Sequence, residues 1–374
     1  MNAGVYVHLP YCASRCSYCA FVVTTDDSSR DAYLEALERE LELVRGTAKG
    51  WRFDSVYLGG GTPSRIPSEG IRRLLEAIRS RFELEPGSEV TLEANPEDVT
   101  EANVGDWIAC GISRVSVGVQ SFVDAELAAI GRRHDALRAR AALETLTETG
   151  LSVSGDLILG LPEQTQESFR RNVDRLVQSG VDHVSVYLLE AEKSKTIEED
   201  RRSRPDRYLS DDAQAESWLD AGTLLGRAGL EHYEVSNWAR PGRAARHNLK
   251  YWERTPTLGI GVSAHEFWQG RRRSNLASLP AYIDRIHAGE RPLAADRLLG
   301  PDESAAERIV LGLRLSRGVE RDEVESWIDG ASDPRLAPDF AAWLDSGLLQ
   351  EREGRIAFSE EGFLVSNEIL CRFV

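Results

Sequence analysis

The sequence predicts an α/β fold built on parallel strands, as a partial or complete TIM-type barrel. Short apolar runs of the kind that form buried parallel strands alternate with segments of helical hydrophobic periodicity. The runs occupy residues 4–9, 55–60, 89–94, 114–119, 151–160 and 183–189. The chain has 374 residues, enough for two domains or for one large barrel with an appendage. A doubly wound open sheet is the alternative arrangement for the same alternation.

Helices are predicted between these strands because apolar residues recur there at helical spacing. The clearest patterns lie within 34–44, 71–82 and 169–177, where the apolar side chains share one face. Such spacing is typical of ordinary core packing and carries no functional weight. The polar stretch 191–207 is predicted to be a solvated loop leading into a helix.

The pattern changes after about residue 290. Helical patterns near 302–315, 320–329 and 337–347 precede two short strands that form a hairpin around Gly354. This order predicts a small α+β unit resembling a winged helix, although the acidic side chains of 301–374 outnumber the basic ones and argue against DNA binding. We therefore predict a barrel over 1–240, a connecting segment with a strand "GIGVSAH" over 241–290, and an accessory domain over 291–374.

Composition and charge exclude several classes of function. The chain carries 45 Lys and Arg against 61 Asp and Glu, a net charge of −16, whereas nucleic-acid-binding proteins usually have a basic surface. No run approaches the roughly 18 apolar residues of a membrane helix. The first residues enter a predicted strand without a signal-peptide pattern, so we expect a cytoplasmic protein that does not span a membrane.

Three of the five cysteines lie within "YCASRCSYCAF", residues 11–21. A reducing compartment and an odd number of thiols argue against disulfides. Two metal-binding interpretations remain. Cys12, Cys16 and Cys19 together with His8 would make a closed zinc tetrahedron, and the three thiols alone would hold an iron–sulfur cluster that leaves one iron open.

Other polar residues follow the predicted strands, at the end where parallel barrels carry their sites. "GGGTP" (59–63) closes the second strand, and its glycines allow the backbone to approach a ligand closely. Glu93 ends the third strand and Gln120 the fourth, while Asp156 lies in the fifth. These groups should therefore lie on the same face as the cysteines.

C-x3-C-x2-C after the first strand, followed by "GGGTP" after the second, resembles the radical S-adenosylmethionine (SAM) superfamily. Within it, "YVHLPYC", "GVQSF", "GDLILGLP" and "GIGVSAHEF" resemble the oxygen-independent coproporphyrinogen III oxidase family over nearly the whole chain. This resemblance implies a radical-SAM barrel, a 4Fe–4S cluster on Cys12, Cys16 and Cys19, and S-adenosylmethionine on the fourth iron. The residues it implies for S-adenosylmethionine are Tyr6, Tyr18, Gly60, Gly61, Thr62, Glu93, Gln120, Arg132, Asp156 and His265. Cys110 and Cys371 are expected to be incidental thiols.

A second motif, "HNLKYW" (247–252), resembles the HemW haem-chaperone branch of this family, as does "EHYEVSNWA" (231–239). The resemblance implies haem contacts through His247, Asn248, Tyr251 and Trp252, with His247 as a candidate iron ligand. In the alternative interpretation, these side chains form a polar and aromatic plug that closes the barrel.

The expected function is that of a haem chaperone that binds haem and passes it to an unidentified acceptor, for which the family suggests a respiratory protein. A low-potential electron donor is the other expected partner, and a homodimer is left open. Whether radical chemistry occurs is also open. Coproporphyrinogen III dehydrogenase is the first alternative, but Phe21 stands where decarboxylating members have a further cysteine, and only eleven residues precede Cys12. A radical SAM methyltransferase or cyclopropanase and a structural zinc protein are the others.

Overall fold

Strands and helices alternate along the first half of the chain, as the hydrophobic pattern predicts. The computed structural model describes residues 2–374. The elements are β1 (Asn2–Leu9), α1 (Arg30–Val44), β2 (Arg52–Gly60), α2 (Ser68–Arg81), β3 (Glu83–Ala94), α3 (Glu101–Cys110), β4 (Arg114–Gln120), α4 (Asp124–Ala129), α5 (Ala136–Thr147), β5 (Ser152–Leu159), α6 (Gln166–Gln178) and β6 (His183–Leu188). All six predicted strands are therefore confirmed.

The second half adds further strands to the same sheet. Its elements are α7 (Lys195–Ser203), α8 (Asp211–Arg227), β7 (Glu231–Glu234), β8 (Asn237–Ala239), α9 (Arg246–Trp252), β9 (Thr257–Ile260), β10 (His265–Trp268), β11 (Arg271–Asn275), α10 (Leu279–His287) and β12 (Leu293–Leu298). No helix in residues 2–374 is both long and apolar enough to cross a membrane.

The twelve strands form one sheet in the order β12-β11-β10-β9-β1-β2-β3-β4-β5-β6-β8-β7. The seven strands from β9 to β6 are parallel, and the strands at both edges run antiparallel to their neighbours. Consecutive strands of the first half are neighbours, unlike in a doubly wound sheet, where the order reverses. Within residues 2–374 no ladder joins β12 to β7, so the barrel is partial.

The two faces of the parallel strands differ in polarity. Side chains alternate along a strand, and in β5 the apolar Val153 and Leu157 pack towards the helices while Ser154 and Asp156 point into the barrel. Gly155 belongs to the helix side, where a Cβ would lie only 2.4 Å from Leu176 of α6. The interior of the barrel is therefore polar, and the apolar core lies between sheet and helices.

Two expectations for the middle of the chain are corrected. Residues 241–290 contribute β9, β10 and β11 to the main sheet, in which β9 pairs directly with β1. "GIGVSAH" is not one strand, since β9 ends at Ile260 and a turn with positive φ at Gly261 and Ser263 precedes β10. The stretch 191–207 is not a loop but contains α7, whose N-terminus is capped by Ser194.

The C-terminal unit has its own small sheet. Its elements are α11 (Pro301–Gly312), β13 (Val319–Glu320), α12 (Arg321–Gly330), α13 (Leu336–Asp345), β14 (Leu349–Arg352), β15 (Arg355–Phe358), α14 (Glu360–Leu364) and α15 (Ser366–Leu370). The predicted hairpin is β14–β15, and its two-residue turn has positive φ at Glu353 and Gly354, as hairpin twist requires. The domain boundaries proposed from the sequence stay a prediction.

Candidate functional site

The three clustered cysteines lie in the loop between β1 and α1. Within the loop, Cys12 N donates to Thr24 O (2.9 Å), and Ser17 N donates to Ile130 O (3.2 Å), which joins the loop to the segment after α4. Ser194, before α7, also donates its hydroxyl to the carbonyl of Ser17. All three thiols are half-buried and free, and all three line one cavity.

Protein groups donate hydrogen bonds to two of these sulfurs. The hydroxyl of Thr62 donates to Cys12 Sγ (3.3 Å), and Nη1 of Arg132 donates to Cys16 Sγ (3.8 Å). Burial raises the pKa of the Cys12 thiol, and the hydrogen bond from Thr62 opposes this. A cation and a hydroxyl directed at sulfur stabilise thiolates, the form in which cysteine binds metal.

His8 is not placed to complete a zinc site. Its Nε2 lies 2.9 Å from the carbonyl oxygen of Val22 and its Nδ1 lies 3.1 Å from the hydroxyl of Tyr6. Within residues 2–374, no three His, Cys, Asp or Glu side chains converge on a point where one metal ion would sit. A four-iron cluster spreads its thiolate ligands over separate irons, so the three thiols at one cavity wall fit a cluster.

The glycine turn after β2 lies against the cysteine loop. Gly60 has φ of +109°, and a Cβ there would lie 2.5 Å from the ring of His8. A Cβ on Gly61 would lie 2.6 Å from the backbone of Pro10. The amide of Gly61 donates to Leu9 O and that of Thr62 to Tyr11 O. The glycines are therefore needed for this close approach, which brings Thr62 to Cys12.

Glu93, at the end of β3, is held by two donors. Its Oε2 accepts from the amide of Gly60 (3.0 Å) and its Oε1 accepts from the hydroxyl of Tyr57 (2.8 Å). Burial raises the pKa of this carboxyl to about 7, against the effect of both hydrogen bonds. The carboxyl lines the cavity beside the turn, where it can accept from an ammonium or hydroxyl group of a ligand.

Arg132 connects the thiols to the end of β4. Its Nη2 donates to Asn95 Oδ1 and to the carbonyl of Gly118, both at 2.7 Å. Gln120 ends β4 with φ of +64°. Nε of Arg132 and Oε1 of Gln120 are buried without a hydrogen-bond partner among the described residues. Two unpaired polar atoms in the wall of one cavity fit a polar ligand there, because burial without a partner is costly.

The remaining predicted residues divide into two groups. Asp156 and Tyr18 line the cavity, and Asp156 accepts a hydrogen bond from Ser116 (3.0 Å to Oδ2). Tyr6 and His265 do not line it. The hydroxyl of Tyr6 is directed at His8, and His265 is exposed on β10. The structure thus brings eight of the ten predicted S-adenosylmethionine residues to one cavity and leaves these two outside it.

The cavity has a volume of about 620 Å³ and runs from the cysteine loop to the C-terminal unit, within the size range of small-molecule sites. Phe21, with 64 % of its surface exposed, stands in its wall beside the cysteines. Asn248 of α9 and Arg314, Phe363 and Leu364 of the C-terminal unit also line it. One cavity therefore joins the cluster loop to two parts of the chain that are distant in sequence.

The motif 247–252 forms α9, at the amino-terminal end of the barrel, opposite the cysteines. Nζ of Lys250 donates to Asn2 O (3.0 Å) and lies 2.6 Å from Oδ1 of Asp54, and the amide of His247 donates to Glu89. Asn2 and Asp54 lie at or near the starts of β1 and β2, and Glu89 of β3 pairs with Ser55, the residue after Asp54. These contacts therefore place α9 across this end of the barrel.

His247 is fully buried beneath α9. Its Nδ1 lies 3.0 Å from Ser55 Oγ, and its Nε2 lies 3.0 Å from the hydroxyl of Tyr251. Burial, assisted by Lys250, lowers its pKa to about 3, so the ring is neutral. Both nitrogens are occupied, and of the four predicted haem residues only Asn248 lines the cavity. These contacts are those of the plug interpretation; haem contact through this motif stays a prediction.

Several residues in the cavity wall were missed from the sequence. They are Tyr57, Asn95, Arg114, Ser116, Ser154, His183, Ser185, Tyr187 and Arg314. Most occupy inward positions of β2 to β6, and a polar residue at every second position of those strands is the signal that reveals them. The strands were instead interpreted as continuous apolar runs. Arg314 has no such signal, because it follows a helix of the C-terminal unit.

Comparison with known families agrees with this site. A family model described as the radical SAM superfamily matches residues 6–176, and one described as the HemN C-terminal domain matches residues 299–365. The solved coproporphyrinogen III oxidase (HemN) of Escherichia coli has the same fold, with a TM-score of 0.85 at 24 % identity over 100 % of this chain and 90 % of that one. Fold and site therefore define a radical SAM protein, with a 4Fe–4S cluster and S-adenosylmethionine as its cofactors.

More similar sequences narrow this class. The heme chaperone HemW of Mycobacterium tuberculosis is 35 % identical over 98 % of this chain and 93 % of its own length. The heme chaperone HemW of Escherichia coli is 30 % identical over 99 % of this chain and 98 % of its own. The chain belongs to the HemW family of heme chaperones.

Proposed function

We propose that this protein is a haem chaperone, which binds haem and transfers it to an acceptor protein. The observation that carries the proposal is likeness along the full chain, including α9 and the C-terminal unit, to relatives named heme chaperones. The structure supplies a cavity that continues from the cluster loop to these two parts. A ligand bound in this part of the cavity would therefore contact α9 and the C-terminal unit as well as the barrel.

We also propose the residues that hold the cofactors. Cys12, Cys16 and Cys19 would bind three irons of the cluster, with Thr62 and Arg132 donating to two of the sulfurs. When bound, the cluster would supply one-electron chemistry and one iron without a protein ligand. The amino and carboxylate groups of S-adenosylmethionine would bind that iron. Glu93, Gln120 and Asp156 would orient the rest of S-adenosylmethionine, and Tyr18 would lie against its adenine.

The haem contacts proposed for α9 differ in what they require. Asn248 already faces the cavity. An iron ion binds one imidazole nitrogen, so His247 can bind iron only by giving up its contact with either Ser55 or Tyr251 and by leaving its fully buried position. We propose further that this protein is cytoplasmic, that the acceptor is a respiratory protein and that a low-potential donor reduces the cluster. A homodimer is left as an outcome of solution measurements.

A binding and transfer experiment tests the function. Protein without its cluster is titrated with haem and followed by the Soret absorbance, then mixed with an apo-haemoprotein that has a distinct spectrum. A stoichiometric Soret band followed by transfer is expected. Protoporphyrinogen formed from coproporphyrinogen III with reductant and S-adenosylmethionine, without haem uptake, would make the dehydrogenase alternative correct.

A further inference from the structure

One part of the cavity lies away from the cysteines and has mostly apolar walls. We call it the C-terminal lobe and define it by Val235, Asn248, Arg314, Phe363 and Leu364. It is built where "EHYEVSNWA", α9 and the C-terminal unit meet. Residues 231–239 and 247–252 carry the two motifs that resemble the HemW branch, and neither supplies a residue proposed for the cluster or for S-adenosylmethionine. Arg314 supplies the only cation among the residues that define the lobe.

The position of Arg314 is fixed by its backbone and by its neighbours. The amide of Val235 donates to Arg314 O (2.9 Å), and the amide of Ser316 donates to Tyr233 O (3.1 Å). Nη2 of Arg314 donates to Asn367 Oδ1 (3.1 Å), and its guanidinium carbon lies 5.8 Å from the centre of the Trp252 ring. The guanidinium is therefore held at the cavity wall by an amide oxygen and an aromatic face.

The charge of this guanidinium is not balanced by an ion pair. Among residues 2–374, no carboxylate oxygen lies within 4.0 Å of it. The acidic group that acts on it is Glu234, whose own pKa burial raises to about 7, so this carboxyl is charged only in part near neutral pH. A partly buried cation without a carboxylate partner has unused donors, and burying such a charge is unfavourable unless an anion binds it.

We propose that Arg314 binds a carboxylate group of the ligand that occupies the C-terminal lobe. Taken with the proposed function, on which this identification rests, that group is a propionate of haem. Arginine forms bidentate hydrogen bonds with carboxylates. The apolar side chains of Val235, Phe363 and Leu364 would lie against the macrocycle, and the C-terminal unit would thereby serve as part of the haem site.

Comparison of haem with its dimethyl ester isolates this contact, because the ester has the same macrocycle and iron but no carboxylates. Both ligands are titrated into wild-type protein and into Arg314→Gln and followed by the Soret absorbance. Wild type should bind haem about 10- to 100-fold more tightly than the ester, the range for a charge-assisted hydrogen-bonded pair. Arg314→Gln should lose most of this preference for haem and bind the ester as wild type does. Arg314→Lys, which keeps the positive charge, should retain part of the preference.

A matched control is Arg317→Gln, three residues further along, where the arginine is exposed and paired with Glu253 (2.6 Å). This variant should bind both ligands as wild type does. Retained ester binding by Arg314→Gln shows that the variant is folded. Equal haem affinities for Arg314→Gln and wild type would overturn the assignment of Arg314 and leave the chaperone function standing, whereas wild-type protein that binds neither ligand would overturn both.

Discussion

Tyr57 and Glu93 lie on neighbouring strands and are joined by a hydrogen bond of 2.8 Å from the phenol to the carboxylate. The same tyrosine ring lies 5.2 Å from the imidazole of His247. One side chain therefore contacts both the carboxylate beside the glycine turn and the plug that closes the other end of the barrel. This places Tyr57 as a positioning residue for Glu93.

Tyr57→Phe should weaken S-adenosylmethionine binding several-fold while leaving the cluster intact. The hydrogen bond from Tyr57 lowers the pKa of Glu93, which burial sets at about 7, so its loss raises that pKa and depletes the carboxylate form. The affinity of wild-type protein for S-adenosylmethionine should therefore increase as the pH rises through about 7. In Tyr57→Phe the same increase should occur at a higher pH. Calorimetric titration from pH 6 to 8.5 measures both effects.

The control is Tyr208→Phe, which loses a phenol–carboxylate hydrogen bond to Asp200 outside the cavity. Identical pH profiles for the two variants would contradict the role of Tyr57.

Substituting alanine for Cys12, Cys16 or Cys19 should abolish the cluster. Wild-type protein reconstituted without oxygen should hold about four irons per chain, with a brown absorbance that dithionite bleaches. Cys110→Ala and Cys371→Ala are the matched controls, since neither thiol lines the cavity. Iron and sulfide analysis gives the answer, and stable zinc binding without iron uptake would refute a cluster.

His247→Ala should destabilise the fold. The substitution removes a fully buried ring and leaves Ser55 without its partner, and we expect a loss of about 2–4 kcal/mol in the free energy of unfolding. Urea unfolding of the apoprotein measures this, with the exposed His287→Ala as the control. The Soret band of the folded variant then tests iron coordination: a lost or shifted band assigns His247 as the ligand, and an unchanged band assigns it to the plug alone.

Glu40 should make the stability of the protein dependent on pH. This buried carboxyl accepts from Gly261 N (2.7 Å), Asn275 Nδ2 (2.7 Å) and Tyr282 Oη (2.5 Å), and burial raises its pKa to about 7. The folded protein therefore keeps a proton that the unfolded chain loses near pH 4.5, so stability falls as pH rises from about 4.5 to 7 and is constant above that.

The difference between wild type and Glu40→Gln isolates this effect. The uncharged variant lacks the titration, so its stability relative to wild type should rise by about 3 kcal/mol between pH 4.5 and 7. Glu35→Gln, exposed on the same helix, should show no such change. Chemical unfolding at several pH values measures the difference, and parallel curves for wild type and Glu40→Gln would show that Glu40 does not titrate in this range.

Much of the fold was predictable from local patterns. The six strands, the hairpin at Gly354 and the position of the cysteines after β1 follow from hydrophobic periodicity and turn residues, which depend on neighbours in sequence. Eight of the ten residues expected around S-adenosylmethionine line the cavity, because parallel strands bring their carboxyl ends to one edge of the sheet.

The sequence by itself determined which residues follow which strand, whereas the tertiary structure decided which side chains face the cavity. Tyr6 lies on an inward position of β1 but is turned to His8. His247 is held inside the barrel because its two ring nitrogens are hydrogen-bonded to the hydroxyls of Ser55 and Tyr251. Arg314 reaches the cavity only because residues 314–316 pair with 233–235. These contacts join residues far apart in the chain, and packing rather than local propensity selects them.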